Sequence, residues 1–98
     1  MQMNGTSINE EKLEKEVMVA NNQRRHLWPA ASFVRLMNRF RCDVHVAYNG
    51  KHADGRNVLE LVALAPPDGS KVLIRVQGPD AAEAMLEIDR LISSIRHL

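Results

Sequence analysis

The chain has 98 residues, enough for one domain and too few for two. Its hydrophobic share of 45% and charged share of 26% are those of a globular protein, and a formal net charge of only +1 argues against a dedicated nucleic-acid binder. A single cysteine, Cys42, excludes an internal disulfide, and no apolar run approaches the ~18 residues of a membrane span. The polar, mixed-charge start is unlike a signal peptide, so a reducing cytoplasm is the expected compartment.

Charge is unevenly spread. Between Val17 and Cys42 there is no Asp or Glu, yet Arg24, Arg25, Arg35, Arg39 and Arg41 all fall there. The acidic residues gather towards the two ends, as Glu10, Glu11, Glu14 and Glu16, then Asp80, Glu83, Glu87 and Asp89. One basic surface on a near-neutral chain suits an acidic partner or an anionic group.

Taken in chain order, residues 1–15 read as a polar N-terminal extension, expected to be mobile, with the domain proper over 16–98. Glu16 to Asn21 reads as a strand, with Val17 and Val19 on one face. A basic loop, Asn22 to His26, leads to a helix opening near Leu27 and Trp28, with Pro29 in its first turn. Ala30, Phe33, Val34, Met37 and Phe40 recur at helical spacing, and Arg35, Asn38 and Arg39 occupy the other side. Cys42 to Tyr48 alternates as a strand, Asn49-Gly50 is a hairpin turn, and Lys51 to Ala53 returns.

Asn57 caps a short helix over Val58 to Leu64, with Glu60 at capping-box spacing. Pro66, Pro67 and Gly69 end it. Lys71 to Gln77 is the fourth strand, with Val72, Ile74 and Val76 inward. Asp80 then caps a last helix whose apolar stripe is Ala84, Met85, Ile88, Leu91, Ile92 and Ile95. The order β-α-β-β-α-β-α, with one apolar face per strand, implies an α+β open-faced sandwich. Four mainly antiparallel strands would be covered on one side by three helices.

His26 is the residue with chemical potential. Backbone N–H groups of a first helical turn can cradle phosphate oxygens, and the positive end of the helix dipole favours an anion. The same dipole disfavours imidazolium and keeps the ring neutral and nucleophilic. Such a ring can attack a phosphoryl donor and later release the group, although a His before a helix also serves as a cap or a solvated loop residue.

The segment His26, Pro29, Ala30, Ser32-Phe33-Val34 resembles the active-site segment of HPr, the histidine phosphocarrier family of the bacterial sugar phosphotransferase system. Val19-Ala20-Asn21, Asn49-Gly50-Lys51, Asp54-Gly55-Arg56, Val58 to Leu64 and Gly78 with Asp80-Ala81 are similar to that family's remaining landmarks. The resemblance implies an HPr-like fold and a carrier rather than a turnover enzyme. His26 would take phosphate on Nδ1 from enzyme I and pass it to an enzyme IIA-type protein. The backbone amides of Leu27 and Trp28 would bind the phosphate, and no cofactor is needed.

Three departures from the family stand out. Trp28 occupies the place of a phosphate-stabilising arginine; it packs over the helix end or anchors a different partner. Arg24 and Arg25 replace a glycine and an apolar residue, and either stabilise phosphate from the other side or are solvated loop arginines. Asn57 stands at the family's regulatory serine; it keeps the cap and has no hydroxyl to phosphorylate.

The helix from Val58 to Leu64 carries too many apolar residues for one buried stripe. Leu59 and Val62 are therefore expected to stay exposed and, with Trp28, to form a docking patch ringed by Arg35 and Arg39, unless they seal the core edge. His45, His52 and His97 share no metal-ligand spacing with each other or with Cys42, so no metal site is expected. The alternative function is a divergent binding or regulatory module that keeps the fold without phosphotransfer. Nucleic acid and membrane are not expected partners.

Overall fold

A computed structural model describes residues 11–19, 30–67 and 69–96. The elements are β1 (Lys12–Met18), α1 (Ala30–Met37), β2 (Asp43–Tyr48), β3 (Lys51–Asp54), α2 (Val58–Leu64), β4 (Lys71–Gln77) and α3 (Ala81–Arg96). The four strands form one sheet in the order β1-β4-β2-β3, every pairing antiparallel. The three helices pack on one another and on one face of that sheet. This is the open-faced architecture expected from the strand and helix patterns.

The core lies between the layers. Val44 and Val46 of β2, Val72, Ile74 and Val76 of β4, and Val17 of β1 point to the helices and are buried. Phe33 and Met37 of α1, Leu61 and Leu64 of α2, and Ala84, Ile88 and Ile92 of α3 meet them. β4 is central, hydrogen-bonded on both sides, and its alternation is the cleanest in the chain.

β1 corrects the sequence reading. It begins at Lys12, four residues before the expected start, and its regular pairing ends at Met18. Residues 12–15 therefore belong to the sheet and not to the N-terminal extension. Charged residues hid the strand because it is an edge with one solvated face, where charge also guards against edge-to-edge association. Lys12, Glu14 and Glu16 face away from the helices, and Glu14 pairs with Arg75 across the sheet. On the inward face, Lys15 is satisfied by Asp89 of α3. Val19 extends the pairing through bonds with Ser70 and Gly69.

Two further details differ from expectation. α1 ends at Met37, so Phe40 leaves the helical stripe and packs on the core from an i→i+3 turn, its N–H on the Met37 carbonyl. Asp80, expected to cap α3, sends its carboxylate to the N–H of Arg41 at 2.8 Å, tying the start of α3 to the α1–β2 loop. The Asn49-Gly50 turn forms as expected, with φ of 50° and 78°.

That junction is tight at Gly78. Its φ is 144°, and a Cβ there would lie 2.8 Å from Cys42 Cα and 2.9 Å from the Arg41 carbonyl oxygen. At Gly50 a Cβ would meet open space. Gly78→Ala is thus expected to cost about 3 kcal/mol or more, from strain plus a backbone clash, whereas Gly50→Ala should cost about 1 kcal/mol from φ alone. Urea denaturation of the two variants measures both; equal losses would contradict the packing described.

Candidate functional site

The segment expected to do the chemistry, with Arg24, Arg25, His26 and the amides of Leu27 and Trp28, lies outside the described residues. What surrounds it is described. The first described residue of α1 is Ala30, which is buried and lies four positions after His26. The helix carries no acidic residue in its first turn, and Arg35 sits in its last. Arg35 and Arg39 are exposed and line a groove between α1 and α3 together with Glu87 and Arg90. Arg90 is paired with Glu87, while Arg39 lies 5.7 Å from the Phe40 ring centre. The exposed arginines expected from the acid-free stretch between Val17 and Cys42 are therefore present along α1 and just beyond it, as Arg35 and Arg39.

α2 shows the split expected of a helix with too many apolar residues. Leu61 and Leu64 point into the core. Leu59 is 77% exposed and Val62 57% exposed, on the opposite side. Val58 is also partly open. Three neighbouring apolar side chains on a seven-residue helix thus face water rather than sealing the core edge.

The cap of α2 is built by its neighbours. Asn57 takes an extended conformation and its side-chain oxygen accepts the N–H of Glu60 at 3.1 Å. Glu60 does not close the usual capping box. Its carboxylate accepts the N–H of Asp54 at 2.8 Å and the Asn57 amide at 3.3 Å. The Asp54 carboxylate accepts the N–H of Arg56 at 2.9 Å, so four side-chain hydrogen bonds hold the β3–α2 turn. The helix closes with Ala65 in the left-handed region, its N–H on the Val62 carbonyl.

Sequence reasoning missed the role of Arg56, which it noted only within the Asp54-Gly55-Arg56 landmark. Its guanidinium donates to the carbonyls of Met37 at 2.9 Å, Phe40 at 2.8 Å and Cys42 at 2.6 Å, and to the Asn38 side chain at 3.2 Å. The first of these is a C-terminal carbonyl of α1, where a cation is favoured by the helix dipole. One side chain thus fixes the end of α1, the following loop and the residue before β2. No local pattern announces this, because three of the four acceptors are main-chain carbonyls and all lie distant in sequence. Burial pushes the Cys42 thiol above its ordinary pKa, with Arg56 opposing, which suits an inert core position.

Arg56→Met is expected to destabilise the domain by about 2–4 kcal/mol, since it removes several charge-assisted bonds to half-buried carbonyls. Asn57→Ala should cost about 1 kcal/mol and Asn57→Ser only a few tenths, because serine is an equivalent cap. Thermal and urea unfolding of the three variants checks this order.

Comparison with known proteins converges on one family. The family model described as the PTS HPr component phosphorylation site matches residues 13–94. The phosphocarrier protein HPr of Vibrio cholerae is 33% identical over 82 residues, covering 84% of this chain and 96% of its own. That of Chlamydia pneumoniae is 30% identical over 84 residues, covering 86% and 78%. The crystal structure of an HPr from Bacillus anthracis superposes with a TM-score of 0.72 at 30% identity, covering 83% of this chain and 96% of that one.

Proposed function

From the premise that the chain belongs to the HPr family, we propose that it takes a phosphoryl group on His26 from enzyme I and passes it to an enzyme IIA-type protein. The observation that carries this reading is placement. His26 lies within the matched span 13–94 and four positions ahead of the first described residue of α1. Family members are phosphocarriers rather than catalysts, and the chain needs no bound cofactor for this chemistry.

The neutral imidazole attacks the phosphorus of the donor's phosphohistidine through Nδ1, and the N–P bond to enzyme I breaks as the new one forms. The amides of Leu27 and Trp28 hold the phosphoryl oxygens. Arg24 or Arg25 supplies the cationic help that Trp28 cannot, since indole offers one N–H and no charge. A charge-assisted bond made only in the transition state is worth about ten- to a hundred-fold in rate. Leu59 and Val62 form the apolar centre of the docking face, with Arg35 and Arg39 as its charged approach. With Asn57 in place of a serine, the carrier is not switched by phosphorylation at that cap. Among the described residues no helix is long and apolar enough to cross a membrane, and we place the carrier in the cytoplasm, where its donors act.

Incubation with enzyme I and phosphoenolpyruvate should yield an acid-labile adduct, visible by phosphorus NMR, that His26→Ala abolishes. The Arg24→Ala, Arg25→Ala double variant should slow its formation by about ten-fold or more. Leu59→Asp should slow it comparably while changing the unfolding midpoint little, because the side chain is already in water. No adduct with the cognate enzyme I would shift the reading to a binding or regulatory module with the same fold.

A further inference from the structure

The helix-free face of the sheet carries a pair of histidines that phosphotransfer does not use. The hairpin register sets His45 opposite Asp54 and His52 opposite Ala47, so the two imidazoles are diagonal neighbours on adjacent strands. Their neighbours Val44, Val46 and Ala53 point the other way into the core. His45 Nε2 and His52 Nδ1 face each other at 2.8 Å, with ring centres 5.0 Å apart and planes inclined by 39°. The pair borders a shallow depression lined also by Asp43, Asp54, Arg75 and Gln77.

We propose that His45 and His52 form a two-imidazole chelate for a late first-row divalent metal ion, zinc, nickel or copper, on the open face of the sheet. Imidazole nitrogen is the ligand these ions favour. With metal–nitrogen bonds of about 2.0–2.1 Å, ring centres held 5.0 Å apart correspond to a bite angle of about 100°, between square and tetrahedral. The two nitrogens then stand about 3.2 Å apart, so a swing of each ring by roughly 20–40° opens the hydrogen bond into a chelate without moving the strands. The proton on the donor nitrogen moves through solvent to the other nitrogen of the same ring. Both facing lone pairs are then free, and no net charge is lost.

The surroundings favour a cation. Asp43 and Asp54 border the same depression, and Arg75, which faces His45 across β4, is neutralised by Glu14. The Arg56 guanidinium is turned onto main-chain carbonyls. Among the described residues no group of three potential ligands could hold a metal ion, so the remaining positions of the ion are left to water or an outside donor. The sequence reading dismissed these histidines because their spacing matches no metal motif. The tight turn, which folds position 52 back towards 45, supplies the proximity that spacing alone does not.

The test is titration of the full chain with Zn2+ by calorimetry, alongside imidazole NMR. One saturable site is expected, with ring resonances of His45 and His52 moving together and those of His26 and His97 unmoved. His52→Ala and His45→Ala should each weaken binding by about a hundred-fold, the loss of an intramolecular second ligand. His97→Ala should leave it unchanged. His52 is exposed, so its variant alone decides the matter if His45→Ala fails to fold. Absence of a saturable site, unchanged affinity in His52→Ala, or shifts confined to His26 or His97 would overturn the proposal.

Discussion

The Arg56 guanidinium is the point on which the helical layer depends. Three carbonyls and one side-chain amide, drawn from the end of α1 and the loop that follows, converge on it. The backbone of the same residue is bound by Asp54, whose own N–H is held by Glu60 of α2. The chain of bonds therefore runs from α2 through the β3–α2 turn to the C-terminus of α1 and into β2. Since the expected phosphoacceptor precedes α1 and the exposed apolar face lies on α2, this clasp sets the relation between the two halves of the proposed partner surface. Half-buried carbonyls without such a donor would each carry a desolvation cost comparable to the bond itself.

Much of the architecture was legible because its signals are local and redundant. β4 alternates without a fault, the Asn49-Gly50 turn needs the two positive φ angles its residues tolerate, and Asn57 sits where a cap belongs. β1 was only partly legible, since a solvated edge strand can carry as many charges as a loop, and Lys15 is accommodated inward by an aspartate from the far end of the chain. The Arg56 clasp, the Asp80 tie to Arg41 and the His45–His52 contact were illegible for one shared reason. Each depends on groups that only the finished fold brings within reach.

The exposed side of α2 was readable by a counting argument: a short helix has one buried stripe, and five apolar residues cannot all occupy it. Exposing Leu59 and Val62 forgoes burial that would be worth about 1.5–3 kcal/mol for each fully buried side chain. Under the proposed function, that exposure serves the docking of a partner.

The order β1-β4-β2-β3 has a consequence for how the chain is made. The first strand has no partner among its sequence neighbours; Lys12 must find Gln77, and Met18 must find Lys71. On the ribosome β1 emerges early and then waits, unpaired, while the hairpin and α2 are synthesised. Its run of alternating charges keeps it soluble during that interval. Closure of the sheet at β1 is a long-range step that waits for the appearance of β4.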